Sequence, residues 1–165
     1  MKKGKLRRCC LMLLAGIMLF SSSAISIFAE DLEETEIACY HYTEETETMV
    51  SATSQALMRG AYLASGTVKL TNYGGGSIGI YGSTDANQVC DMLYLDIYLE
   101  RSTNGSSWSS YDSWSYTKAN GSSLTKSFTV TVPTGYYYRL RGYHAAKEGS
   151  TKESTSTRTG GKYVS

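Results

Sequence analysis

Four aliphatic residues, Leu93, Leu95, Ile97 and Leu99, alternate without a break with Tyr94, Asp96, Tyr98 and Glu100. A helix would spread these four around its circumference. A strand, with side chains repeating every two residues, puts all four on one side and the polar set on the other. The run from Val89 to Arg101 is therefore expected to be a strand with one face in a core and one face wet. A second stretch, Gly135 to His144, obeys the same rule. Tyr137, Arg139, Arg141 and Tyr143 fall on one face. Tyr136, Tyr138, Leu140, Gly142 and His144 fall on the other, and this stretch is expected to run through the middle of the fold.

Further strands follow from the same period. Val68 and Leu70 alternate with Thr67, Lys69 and Thr71; Ile78 and Ile80 share a face; Leu124, Phe128, Val130 and Val132 do likewise against Thr125, Ser127, Thr129 and Thr131. Gly74-Gly-Gly76 marks a turn, and Asp85 to Gln88 reads as a loop. Asn104-Gly105 and Asn120-Gly121 are each expected to close a hairpin, since both residue types accept positive φ. The polar stretch Thr151 to Thr159 reads as a ragged edge strand. Residues 48–65 fit neither period. The expectation is an all-β body of about seven strands, most simply a two-sheet antiparallel sandwich.

The ends of the chain differ from this body. Lys2, Lys3, Lys5, Arg7 and Arg8 precede the apolar run Leu11 to Phe20, and a small-residue stretch leads to Ala29. This is the pattern of a secretory signal peptide over residues 1–29. Cleavage near Ala29 would leave a secreted, extracellular product with no membrane anchor. Removing those residues takes five of 16 basic and none of 15 acidic residues, leaving a net charge of −4. Residues 30–48 hold eight acids and no Lys or Arg, and read as a flexible acidic arm. Residues 49–165 form the expected domain, mildly basic but without the dense Lys/Arg run that nucleic acid requires. Cys39 and Cys90 are the cysteines beyond the signal segment. An oxidising compartment would permit one bridge between them; two unpaired thiols are the alternative.

From Asp96 onward the order of features resembles a fibronectin type III or immunoglobulin-like sandwich. The residues concerned are Leu95-Asp-Ile-Tyr-Leu-Glu-Arg-Ser-Thr-Asn-Gly-Ser-Ser-Trp108 and Pro133-Thr-Gly-Tyr-Tyr-Tyr-Arg-Leu-Arg-Gly142. The resemblance implies a tyrosine corner at Tyr136, its hydroxyl tied to upstream backbone. The exported head, Ser77-Ile-Gly-Ile-Tyr-Gly-Ser-Thr84, Leu99-Glu-Arg101 and Tyr137-Tyr-Arg139 with His144 together resemble a family of small, uncharacterised secreted proteins of Gram-positive bacteria. That likeness implies an address and no chemistry.

Motifs that would carry chemistry lack their context. Gly74-x-Gly76-x-x-Gly79 spells a dinucleotide fingerprint, yet a strand follows where a helix is needed. Ser123-Leu-Thr-Lys126 spells Ser-x-x-Lys, yet residues three apart on a strand point to opposite faces. His41 shows no recognised metal-ligand spacing with its acidic neighbours, and His144 reads as a satisfied strand-end histidine. No catalytic residue, metal site or cofactor is assigned. The enrichment left to explain is aromatic and cationic: Tyr94, Tyr98, Tyr137, Arg139, Arg141 and Tyr143 are the candidate ligand-binding residues. They point to a non-enzymatic module that binds a glycan, an envelope component or a protein. Ordinary cross-strand ladders are the competing account. A small extracellular enzyme and a secreted effector or inhibitor are the alternative functions.

Overall fold

The computed structural model describes residues 32–56 and 62–165. The expected signal peptide and its cleavage site lie outside them. Nine strands form one hydrogen-bonded sheet: β1 (Glu33–Glu36), β2 (Cys39–Glu45), β3 (Met49–Ala56), β4 (Leu63–Gly74), β5 (Ser77–Ser102), β6 (Ser109–Thr131), β7 (Tyr136–Glu148), β8 (Thr151–Arg158) and β9 (Lys162–Val164). The order is β1-β8-β7-β5-β4-β3-β2, with β6 also on β5 and β9 also on β7. No described helix is long and apolar enough to cross a membrane.

The all-β expectation holds. The alternation in β5 does too: Leu93, Leu95, Ile97 and Leu99 are fully buried. So does the two-face division of β7, where Tyr138, Leu140 and His144 are buried and Arg141 is exposed.

Where β5 pairs β4 and the second half of β6, it belongs to one half of the sheet; where it pairs β7 and the first half of β6, it belongs to the other. Both β5 and β6 therefore run through the curl. Two local expectations fail at this corner. Residues 85–88 are not a loop, and Asn120-Gly121 is not a hairpin turn; both lie inside strands. The β5–β6 register breaks between Asp85 and Cys90, facing Gly121 and Ser123, and Asn120 takes φ 50°. An extra residue with left-handed backbone bends a strand as readily as it reverses one. The turn expected at Gly74-Gly-Gly76 is present, with all three glycines at positive φ.

The strand count and the purely antiparallel expectation also need correction. β1 pairs β8 in parallel, Glu33 to Glu36 alongside Thr151 to Ser154, so the sheet is mixed. The acidic segment expected as a free arm supplies both β1 and β2, the latter antiparallel to β3. Its composition argued against order because its partners lie far away in sequence: Glu34 meets Tyr143 and Lys152, and Ile37 packs on the core.

Curling brings the inner faces of β4 and β7 together. The core is Val50, Leu63, Val68, Leu70, Ile78, Ile80, the four β5 aliphatics, Tyr138, Leu140 and Val164. Among these apolar side chains sits a polar seam. The buried His144 ring bonds Thr84 Oγ1 through Nδ1 at 3.1 Å and Thr157 Oγ1 through Nε2 at 2.8 Å. Thr84 donates its own hydrogen to Tyr94 O. It can therefore only accept from His144, which puts the imidazole proton on Nδ1 and makes Nε2 the acceptor of the Thr157 hydroxyl. Burial pushes the His144 pKa down from 6.5 to about 4. Ser54 and Thr155 bond each other at 2.7 Å beside it. Among the described residues no buried side-chain polar atom lacks a partner, as a low-dielectric interior demands.

A tyrosine does tie back to upstream backbone, but it is not Tyr136. Tyr138 donates its hydroxyl to Pro133 O at 2.8 Å, while Tyr136 stacks under the Arg101 guanidinium at 4.5 Å. Tyr138 lies on the buried face, where an unpaired hydroxyl would be costly.

Candidate ligand-binding face

The polar faces of β5, β7 and β8 form one continuous outer surface, because the ladders align them row by row. Tyr98 stands opposite Arg141, Asp96 opposite Tyr143 and Glu100 opposite Arg139. On the other side of β7, Tyr143 stands opposite Ser156 and Arg141 opposite Arg158.

Two of the six candidate residues sit apart from the rest. Arg139 is held by Glu100 at 2.6 Å and lies 4.3 Å from the Trp108 ring. Tyr137 packs on Tyr163, 5.0 Å between centroids. Both are occupied in joining β7 to its neighbours. Tyr94 is covered by the Lys152 ammonium, 4.8 Å above its ring. Tyr98, Arg141 and Tyr143 come together: they line a shallow depression with Glu34, Asp96 and Lys152. It adjoins a second depression lined by His41, Arg141, Thr157 and Arg158, and a third bordered by Tyr40, Tyr42 and Arg158. The three share residues and make one open groove along the lip between β2 and β8.

Charge within this groove is unevenly compensated. Lys152 is matched by Glu34 at 3.2 Å, and Glu34 also accepts the Tyr143 hydroxyl. These donors hold the Glu34 carboxyl below its ordinary pKa, and burial with the Glu34 contact raises that of Tyr143. Arg141 is half exposed, stacked 4.6 Å over Tyr98, with Glu100 at 3.7 Å. Glu100 is already committed to Arg139. Arg158 and Asp96 enter none of the ion pairs among the described residues. Arg141 and Arg158 are thus cross-strand neighbours, and the one carboxylate within ion-pair distance of either among the described residues, Glu100, lies 3.7 Å from Arg141 and is shared with Arg139. Like charges directly opposite on a sheet are unfavourable.

Arg158 was not among the candidates read from the sequence. Its signal was the two-residue turn Gly149-Ser150, which pairs Glu148 with Thr151 and so fixes Arg141 across from Arg158. His41 reached the groove by another route, through β2 crossing the lip. The described residues contain no group of three or more His, Cys, Asp or Glu side chains placed to hold a metal ion. His144 is inaccessible within its threonine seam. Ser123 spends its hydroxyl on Asp85 at 2.6 Å, and Lys126 lies over Tyr116. Cys39 and Cys90 are both free thiols. Burial, with Glu148, Glu153 and Asp91 nearby, raises the Cys90 pKa.

A curled, mixed all-β sheet carrying an open polar groove defines the class of domain. The chain belongs to the Family of unknown function (DUF6147), whose sequence model matches residues 28–162. No curated protein matches it.

Proposed function

We propose that this protein is an exported, non-catalytic binding module, and that it binds an anionic group in the groove at Arg141 and Arg158. The observation that carries this reading is the cross-strand arginine pair. Two cationic side chains at directly opposed ladder positions on an open surface cost stability, and a carboxylate, sulfate or phosphate bound by both would offset that cost with bidentate hydrogen bonds. Tyr98 and Tyr143 flank the pair with planar surface suited to a sugar ring or a peptide side chain. The basic head and apolar run of the first 29 residues support export. The packing of β4 on β7, with a tyrosine bonded to backbone near the start of β7, supports reading the curled sheet as two facing layers of an immunoglobulin-like sandwich.

Titration calorimetry of the protein with inorganic phosphate, polygalacturonate and neutral dextran tests the binding reading. The anionic probes should bind, more weakly as salt rises, and Arg141→Ala with Arg158→Ala should weaken them at least tenfold. Binding of no anionic probe, or equal binding by the double variant, would overturn it.

A further inference from the structure

The groove is bounded by a strand edge that the chain itself covers only in part. β1 pairs β8 from Thr151 to Ser154 and then leaves: Ile37 N donates to Ser154 O, and the chain crosses to β2. On the other side of β8, Thr159 N donates to Leu140 O of β7. Backbone groups on a strand alternate in direction. The odd residues of this segment therefore face β7 and the even ones face the edge. Ser156 and Arg158 thus direct their N–H and C=O groups outward, where β1 no longer runs.

The covered half of the edge shows what the uncovered half would accept. β1 is a short acidic strand, Glu-Glu-Thr-Glu, added in parallel. Its Glu34 stands across from Lys152 and is bonded by Lys152 and Tyr143 on the outer face. Four residues beyond Lys152 on β8 comes Ser156, and two beyond that Arg158, paired with Arg141. The uncovered half repeats the same combination: open backbone groups beside cationic side chains lacking a dedicated carboxylate.

We infer that the ligand of this groove is an extended acidic polypeptide segment that adds to β8 as a strand beyond β1, placing a carboxylate between Arg141 and Arg158. The inference rests on the anion-binding reading above and narrows it from any anionic group to a peptide. The backbone of the incoming strand would bond Ser156 and Arg158, giving affinity; alternate side chains would reach the arginine pair, giving selectivity.

The test uses the peptide acetyl-Thr-Val-Glu-Val-Glu-Thr-amide, a copy with its inter-strand amides N-methylated, and polygalacturonate. The parent peptide should bind, and N-methylation should weaken it at least tenfold, because strand addition needs those N–H groups. Arg158→Ala should also weaken it at least tenfold, whereas Lys126→Ala, at a lysine lying over Tyr116 outside the groove, should leave it unchanged. Ser156→Pro, which removes one outward N–H without altering charge, should weaken the peptide and spare phosphate. Equal binding of the two peptides overturns strand addition while the anion reading stands. The same holds if polygalacturonate binds and the peptide does not. Loss on Lys152→Ala in place of Arg158→Ala would mean that β1 had been displaced, and overturns the assignment to the uncovered edge. If no anionic probe binds, the anion reading falls and takes this inference with it.

Discussion

Gly66 on β4 lies directly against the ring of His144 on β7: a methyl group at Gly66 would come within 2.2 Å of His144 Cγ. The two halves of the sheet meet here, and the ring, bonded at both nitrogens, has nowhere to move. Gly66→Ala should therefore destabilise the protein by about 2–3 kcal/mol, in the range of overpacked cores. Urea denaturation measures it. Because the two residues touch, the loss in the Gly66→Ala/His144→Ala double variant should be smaller than the sum of the single losses.

The same histidine gives a pH dependence of known sign. Its folded pKa is lowered to about 4, against about 6.5 when unfolded. Between these values the unfolded chain binds the extra proton, so stability is fully present above pH 6.5 and falls as pH drops toward 4. A difference of this size is worth about 3 kcal/mol across that window. Stability curves of the parent and of His144→Gln, taken from pH 7.5 to 4, should separate by roughly this much in total across the window. Parallel curves would show that the ring is not buried as a neutral group.

Tyr138 and Tyr136 can be separated by removing a single oxygen. Tyr138→Phe loses the 2.8 Å bond to Pro133 O and should cost about 1 kcal/mol. Tyr136→Phe, whose ring stacks under Arg101, should change thermal stability far less. The reverse order would restore the corner to the position expected from sequence.

Arg158→Ala should leave the folded protein as stable as before or raise its stability by a few tenths of a kcal/mol, since it removes one of two like charges at opposed ladder positions. A calorimetric melt checks this. A clear loss of stability would mean that Arg158 has a structural partner, and would remove the argument for a ligand.

Thiol chemistry should distinguish the two cysteines. Cys90 is buried and its thiol pKa is raised, while Cys39 is half-buried. Iodoacetamide at neutral pH should modify Cys39 well before Cys90, with both reacting in denaturant. Failure of both to react in denaturant without reductant would establish the bridge that the spacing permits.

Much of this fold was legible locally. The alternation at Leu93–Leu99 and at Tyr136–His144 shows which side of each strand faces the core, because burying apolar surface acts residue by residue and needs no knowledge of the partner. Asn120-Gly121 misled for a related reason. Positive φ is a local property; whether it reverses the chain or bends it depends on whether the neighbouring strand bends as well, and β5 does so between Asp85 and Cys90.

The acidic segment and the groove were decided at longer range. Nothing within residues 30–48 signals pairing, since the groups that hold Glu34 are Tyr143 and Lys152, more than a hundred residues away. The sequence by itself determined an all-β body, its buried faces and the polarity of its surface. Tertiary structure alone decided that β5 and β6 carry the sheet around a corner, that β1 lies parallel on β8, and that Arg141 and Arg158 stand side by side. Side-chain alternation is a property of one strand, whereas register and curl depend on contacts between strands.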